Sequence, residues 1–172
     1  DAMVTGNIRH YAASIEKLKK VVDPRPGEEI FGMTMLVSKG KTILVADTNV
    51  QDFPSSERLV NVSISCVRVA RLFGFDPKVA FVSHSTFGKP ISKNTKHVRD
   101  AIELLKNKNV DFDFDGEMQP DVALNPIYQE IYPFSKIVGK ANILMMPALH
   151  SAAISTKLMK SFGGAKLIGP LL

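Results

Sequence analysis

Residues 110–125 read VDFDFDGEMQPDVALN, and this run sets the architecture because a strand, a turn and a helix start follow one another within it. Val110, Phe112 and Phe114 alternate with Asp111, Asp113 and Asp115, the period of two expected of a strand with one apolar and one acidic face. Gly116 is expected to end that strand. Pro120 suits the first position of a helix, where its missing N–H costs nothing, and Asp121 sets negative charge beside the positive end of the helix dipole. Asp115, Glu117 and Asp121 would then gather at the carboxyl end of a strand, where open α/β sheets hold their ligands. Two roles fit such acids: chemistry in a crevice, or the ordinary charges of a solvated strand face and a helix start.

Working outward, the spacing predicts alternating elements. Ile8, Tyr11, Ala12, Ile15, Leu18 and Val22 mark an amphipathic helix stopped by Pro24 and Pro26. Runs 30–37 and 41–46 flank Ser38-Lys39-Gly40 and read as a hairpin. Ser55 is a natural N-cap with Glu57 in the first turn, for a helix that runs to Phe73 and stops at Gly74. Short apolar strands are expected at 79–82, 143–146 and 166–168, with helices at 95–105 and 152–162. Strands separated by helices need crossover connections. The expected fold is therefore α/β: a mostly parallel sheet with one hairpin and helices on both faces, in a single unit over 1–172.

Composition limits the function classes. The chain has 172 residues, 45% of them hydrophobic, enough to bury roughly 70% of its unfolded surface. The formal charge of +5 is spread thinly, with Lys19-Lys20 the sole basic doublet. That argues against a nucleic-acid stripe and leaves a modest pull on small anions. Cys66 is the one cysteine, so no disulfide framework exists within the chain and a reducing cytosol is expected. No apolar run approaches the length of a membrane span, and no signal peptide is evident. The first residue is Asp and the last run is Ile-Gly-Pro-Leu-Leu172; a piece cut from a longer protein is expected.

Two loops could carry chemistry. Residues 83–89, SHSTFGK, leave a strand and precede a helix, and could cradle a phosphate with backbone N–H groups and Lys89. Equally, they could form a polar turn that satisfies its own backbone. Residues 147–151, PALHS, hold the equivalent place after the next strand. His150 there could be an acid, a base or a phosphate partner, or could cap and pack. His10, His84, His97 and His150 show no metal spacing with one another or with Cys66. Neither a Gly-x-Ser-x-Gly elbow nor a dinucleotide-binding glycine pattern is present.

In order and spacing, Val45-Ala-Asp-Thr-Asn-Val50, Ser83-His-Ser-Thr-Phe-Gly88, the run from Asp115 to Pro126, Gly139-Lys-Ala-Asn142 and Ile168-Gly-Pro170 resemble the phosphate acetyltransferase family. The resemblance covers nearly the whole chain. It is strongest to the phosphotransacetylase-like region of the large bacterial NADP-dependent malic enzymes, since stand-alone transacetylases usually have Lys where Phe87 stands and an Asn-Leu-Glu-type loop at Ala148-Leu-His150. The resemblance implies one lobe of a two-lobed fold of the isocitrate dehydrogenase and phosphotransacetylase type, with coenzyme A or acetyl-CoA in the cleft between lobes.

The catalytic arginines and a Ser-Arg pair would lie outside these residues, so no catalytic residue and no metal ligand is assigned. Ser83, Ser85, Thr86, Gly88, Lys89, Asp115, Glu117, Asn142, His150 and Gly169 are expected on the cleft wall. NADP and a divalent metal would belong to other domains of a malic enzyme. The implied function is an acetyl-CoA-responsive regulatory and oligomerisation domain. The alternatives are a lobe of a true phosphate acetyltransferase and a pure oligomerisation module. The resemblance also implies a homodimer or higher oligomer. This chain by itself is expected to turn over neither acetyl phosphate nor malate.

Overall fold

The computed structural model describes residues 11–24, 26–47 and 52–172. The expected helix start at Ile8 and the Thr48-Asn-Val50 end of one family motif lie outside them. The described part of helix α1 spans Tyr11–Leu18; it ends before the expected Val22, and a turn at 19–21 follows it.

Strands β1 (Met33–Ser38) and β2 (Lys41–Ala46) form the expected hairpin. Its two turn residues, Lys39 and Gly40, both have positive φ, 50° and 71°. That is the geometry of a tight turn whose twist matches the strands, and Gly40 adopts it without strain. Helix α2 (Ser56–Leu72) starts on Ser55, whose hydroxyl accepts from the Arg58 N–H, and Gly74 follows its end with φ 79°. Both ends match the expectation.

Strand β3 (Lys78–Val82) leads through a short turn of 3₁₀ helix at Lys93–Thr95 into α3 (Lys96–Lys106). Strand β4 is Asp113–Met118. It begins three residues later than the alternation suggested and runs through Gly116 instead of ending there. The reason is contact: a Cβ on Gly116 would lie 2.6 Å from the Phe81 carbonyl oxygen, so the absent side chain lets the strand continue against β3. Val110 and Phe112 are partly buried against the core without joining the strand. Helix α4 (Pro120–Leu124) opens on proline as expected, β5 is Ile143–Met145, α5 is Leu149–Ser161 and β6 is Lys166–Leu171.

The sheet order is β4-β3-β5-β2-β1-β6. Strands β4, β3, β5 and β2 pair in parallel, while β1 pairs antiparallel with both β2 and β6. Alternate residues face opposite sides of the sheet. Leu44, Ala46, Val79, Phe81, Ile143 and Met145 join α2 and α3 in one core. Val45, Ala80, Val82, Leu144 and Met146 join Ala123 of α4 and Ala152 of α5 in the other. Cys66 sits fully buried in the first core. Burial, aided by the charge of Asp47, pushes its thiol well above the ordinary range.

Candidate functional site

The parallel strands fix where a crevice must open. Phe81, Met145 and Ala46 lie in register across β3, β5 and β2. Past that row, the chain leaves β3 for α3 and leaves β2 for α2, both on one face, whereas it leaves β5 for α5 on the other. Neighbouring parallel strands whose following segments part to opposite faces leave a gap at their carboxyl ends, where α/β proteins hold ligands. A groove of about 590 Å³ occupies that gap. Ser83 and His84 line it from the β3 end; Asn94, Thr95 and His97 from the approach to α3; Pro147, His150, Ser151 and Ser155 from the β5–α5 side; and Phe53 from the segment before α2.

The two sides are tied together. His97 Nε2 lies 2.9 Å from the Pro147 carbonyl oxygen, a bond between α3 and the β5–α5 turn. Across the groove, the Phe53 and His150 rings meet with centroids 5.5 Å apart. Helix α5 has no side-chain cap and no acid in its first turn, so its leading N–H groups add positive potential beside Ser151.

Of the expected wall residues, Ser83 and His150 line this groove; the rest are placed elsewhere. The 83–89 loop does cradle an anion, but the anion is the chain's own Glu117. That carboxylate is 1% exposed. Its Oε1 accepts from the Ser85 hydroxyl at 2.7 Å, from the Gly88 N–H at 3.2 Å and from Arg99 Nη1 at 3.3 Å. The Phe87 N–H donates to the Glu117 carbonyl, and Thr86 and Lys89 exchange backbone bonds with each other. Those N–H groups are therefore committed within the loop and not offered to a ligand. The acidic turn explains why: a buried carboxylate must be met by donors, and the loop is the nearest source.

Asp115 accepts from the backbone N–H groups of Gly116 and Lys136. Asn142 sits at the opposite, amino end of the sheet, where it accepts from the Lys78 N–H at 2.8 Å and donates to the Asp76 carbonyl at 2.6 Å. It stitches β3 to the start of β5. Gly169 lies on the outermost strand, where a Cβ would meet the Met33 carbonyl at 2.9 Å. Conversely, His97, Thr95 and Phe53 lie outside the two loops that the sequence singles out, while His84 and Ser151 lie within those loops without being among the expected wall residues. His97 carries the same sequence signal as His150, a polar side chain near a helix start after a parallel strand.

Among the described residues, no three His, Cys, Asp or Glu side chains converge to hold a metal ion, and no helix is long and apolar enough to cross a membrane. The phosphate acetyl/butaryl transferase model matches residues 1–172. The chain belongs to that family. It is 45% identical over 172 residues to an NADP-dependent malic enzyme of Rhizobium meliloti, covering 100% of this chain and 23% of that protein. It is 29% identical to the phosphate acetyltransferase of Bacillus subtilis, covering 100% of this chain and 54% of the relative. A phosphotransacetylase structure from Streptococcus pyogenes superposes with a TM-score of 0.87 at 28% identity, over 96% of this chain and 52% of that one. The chain thus has a phosphotransacetylase-like fold, found both in malic enzymes and in phosphate acetyltransferases, and spans about a quarter to about half of these relatives.

Proposed function

We propose that this chain is the acetyl-CoA-responsive regulatory and oligomerisation lobe of an NADP-dependent malic enzyme, with the groove at the carboxyl end of β5 as one wall of the ligand cleft. The observation that supports it most is the groove itself: open, placed at the parting of β5 from its neighbours, and lined by imidazoles and hydroxyls. Among the described residues, no groove hydroxyl is hydrogen-bonded to an imidazole, which suits a binding wall rather than a complete catalytic centre. Malate oxidation, with its NADP and divalent metal, belongs to other domains of such a protein. A cytosolic setting suits the buried free thiol of Cys66.

Self-association has its own support. Ile154 and Leu158 of α5 and Phe162 just past its end recur every fourth residue and stand 65%, 61% and 92% exposed. Ile127, Ile131, Phe134 and Val138 are likewise exposed on the segment covering the same face of the sheet. A second copy would cover such a row.

Calorimetry of the full-length protein with acetyl-CoA tests the reading. Saturable binding is expected, abolished by Ser151→Phe, which fills the groove. Undiminished binding in that variant would move the site elsewhere, and acetyl phosphate formation from acetyl-CoA and phosphate by the full-length protein would make it a true transacetylase. Sedimentation showing only monomer at tens of micromolar would remove the oligomer, since contacts weaker than about 6 kcal/mol do not persist at that concentration.

A further inference from the structure

Positive charge that is spread thinly in the sequence gathers in space along one rim of the sheet. Strands β2 and β5 pair in parallel, and β6, like β2, runs antiparallel to β1, so all three start at the same rim. Lys41 opens β2 and Lys166 opens β6. Lys39 sits in the hairpin turn between β1 and β2, and Lys140 lies three residues before β5. The Ala165 N–H donates to the Met159 carbonyl at 3.0 Å, which holds the end of α5, and with it Lys160, beside the start of β6. Neighbouring strands lie about 4.8 Å apart, so the row from β5 through β2 and β1 to β6 spans roughly 15 Å. All five lysines are exposed.

Among the described residues no acid answers this charge. The segments that build the rim, 30–46 and 131–172, contain no aspartate and no glutamate, and none of the five lysines is in an ion pair with a described residue. Without the five, the lysines and arginines would fall from 22 to 17, equal to the 17 aspartates and glutamates. The formal excess of the whole chain is therefore the charge of this rim. Helix dipoles account for only part of it: Lys160 stands in the last turn of α5, where a cation is favoured, but strands carry no comparable dipole at their starts. Away from the rim, Arg68 is paired with Glu28, Arg71 with Asp111, Lys96 with Asp100 and Lys106 with Glu103.

We propose that this lysine rim seats an acidic face of a neighbouring domain of the same polypeptide, held mainly by charge. The inference rests on reading the chain as one lobe of a malic enzyme. In the Rhizobium relative the matched region is 23% of the protein, and a chain of that build has most of its mass left to dock against this unit. Faces between domains of one chain are more polar than permanent subunit contacts, which suits a row of lysines. A second copy is a poor occupant, because pairing this rim with itself would set lysine against lysine. A nucleic acid is another, since the row holds no arginine, whose planar fork matches phosphate, and follows a strand edge rather than a groove.

The test is carbodiimide cross-linking of the full-length protein, read by mass spectrometry, which joins a lysine amine to a carboxylate in contact with it. Cross-links are expected from several of Lys39, Lys41, Lys140, Lys160 and Lys166 to aspartates or glutamates outside residues 1–172. Raising the salt to about 1 M, which shortens the screening length to about 3 Å, should cut their yield at least about fivefold. The combined variant Lys39→Glu, Lys41→Glu and Lys166→Glu sets like charge against the acidic face, and should release this unit to limited proteolysis at least about fivefold faster than the parent. The three residues are exposed, so the fold should survive, and an unchanged far-UV circular dichroism spectrum would confirm it.

No cross-link from these lysines, cross-links only to carboxylates within residues 1–172, or a release rate unaltered in the variant would each overturn the proposal. Malate oxidation with NADP by the same preparation tests the underlying reading separately. Turnover without the cross-links removes the docking and leaves the malic enzyme lobe standing. The cross-links without turnover uphold the docking and count against the malic enzyme.

Discussion

Glu117 carries the loop that forms the β3 side of the groove, and replacing it with leucine tests that role. The change removes the acceptor of the Ser85 hydroxyl and of the Gly88 N–H. Each buried donor left unmet costs about 1–3 kcal/mol. Ser85 retains partial compensation, since its oxygen lies 3.4 Å from the Ser83 hydroxyl. Arg99 adds little, being about a third exposed and still bonded to Thr95 Oγ1 and the Ser92 carbonyl. Relief of the desolvation cost of a buried charge works the other way. The net expectation is a loss of about 2–4 kcal/mol, read as a fall of about 4–16 °C in Tm for a unit of this size. Glu117→Gln keeps a side-chain oxygen to accept from both donors and should lose no more than about 1.5 kcal/mol. Urea titration of both variants, followed by far-UV circular dichroism, separates the two cases. A leucine variant within about 1 kcal/mol of the parent, or a glutamine variant as damaged as the leucine one, would refute the view that Glu117 acts as the loop's acceptor.

Four further outcomes are expected. Arg58→Met should destabilise by about 3–5 kcal/mol in the same titration, because the buried Asp47 loses its cation and the Ile30 carbonyl loses its donor. Gly116→Ala should cost about 1–3 kcal/mol, since φ is 144° and the new Cβ would press on the Phe81 carbonyl; an alanine variant with an unchanged urea midpoint would show that β4 can yield there. Cys66 should react with a thiol reagent at about pH 8 only as fast as the chain opens. Its thiol is raised in the folded state, so the sign is fixed: this group takes nothing from stability below the unfolded thiol pKa, and stability falls as pH climbs above it. Cys66→Ala should show a weaker alkaline loss than the parent.

Much of this architecture could be read from spacing because each signal was local. The hairpin, the Ser55 cap and the Gly74 stop each depend on a few adjacent residues, and all three stand as expected. The site was less legible. Periodicity shows that Glu117 follows a strand, but not that the strand continues past Gly116 and turns the carboxylate inward to Ser85 and Gly88. That outcome is set by a contact with Phe81, remote in sequence. The same limit applies to Asn142, whose motif is visible but whose bonds to Asp76 and Lys78 lie more than sixty residues away. His97 and His150 face one groove only because β5 inserts between β3 and β2.

That insertion has an evolutionary consequence. Strand β5 is only three residues long, yet it sends its helix to the face opposite those that follow its two neighbours, β3 and β2. The exposed positions within 146–155 can therefore change which side chains line the groove, while Met146 and Ala152 hold the segment to its core and α2 and α3 stay packed on the other face. A lineage could re-line the groove through this one short stretch, with the His97 bond to the Pro147 backbone, which is indifferent to side-chain identity at 147, keeping each new version in place.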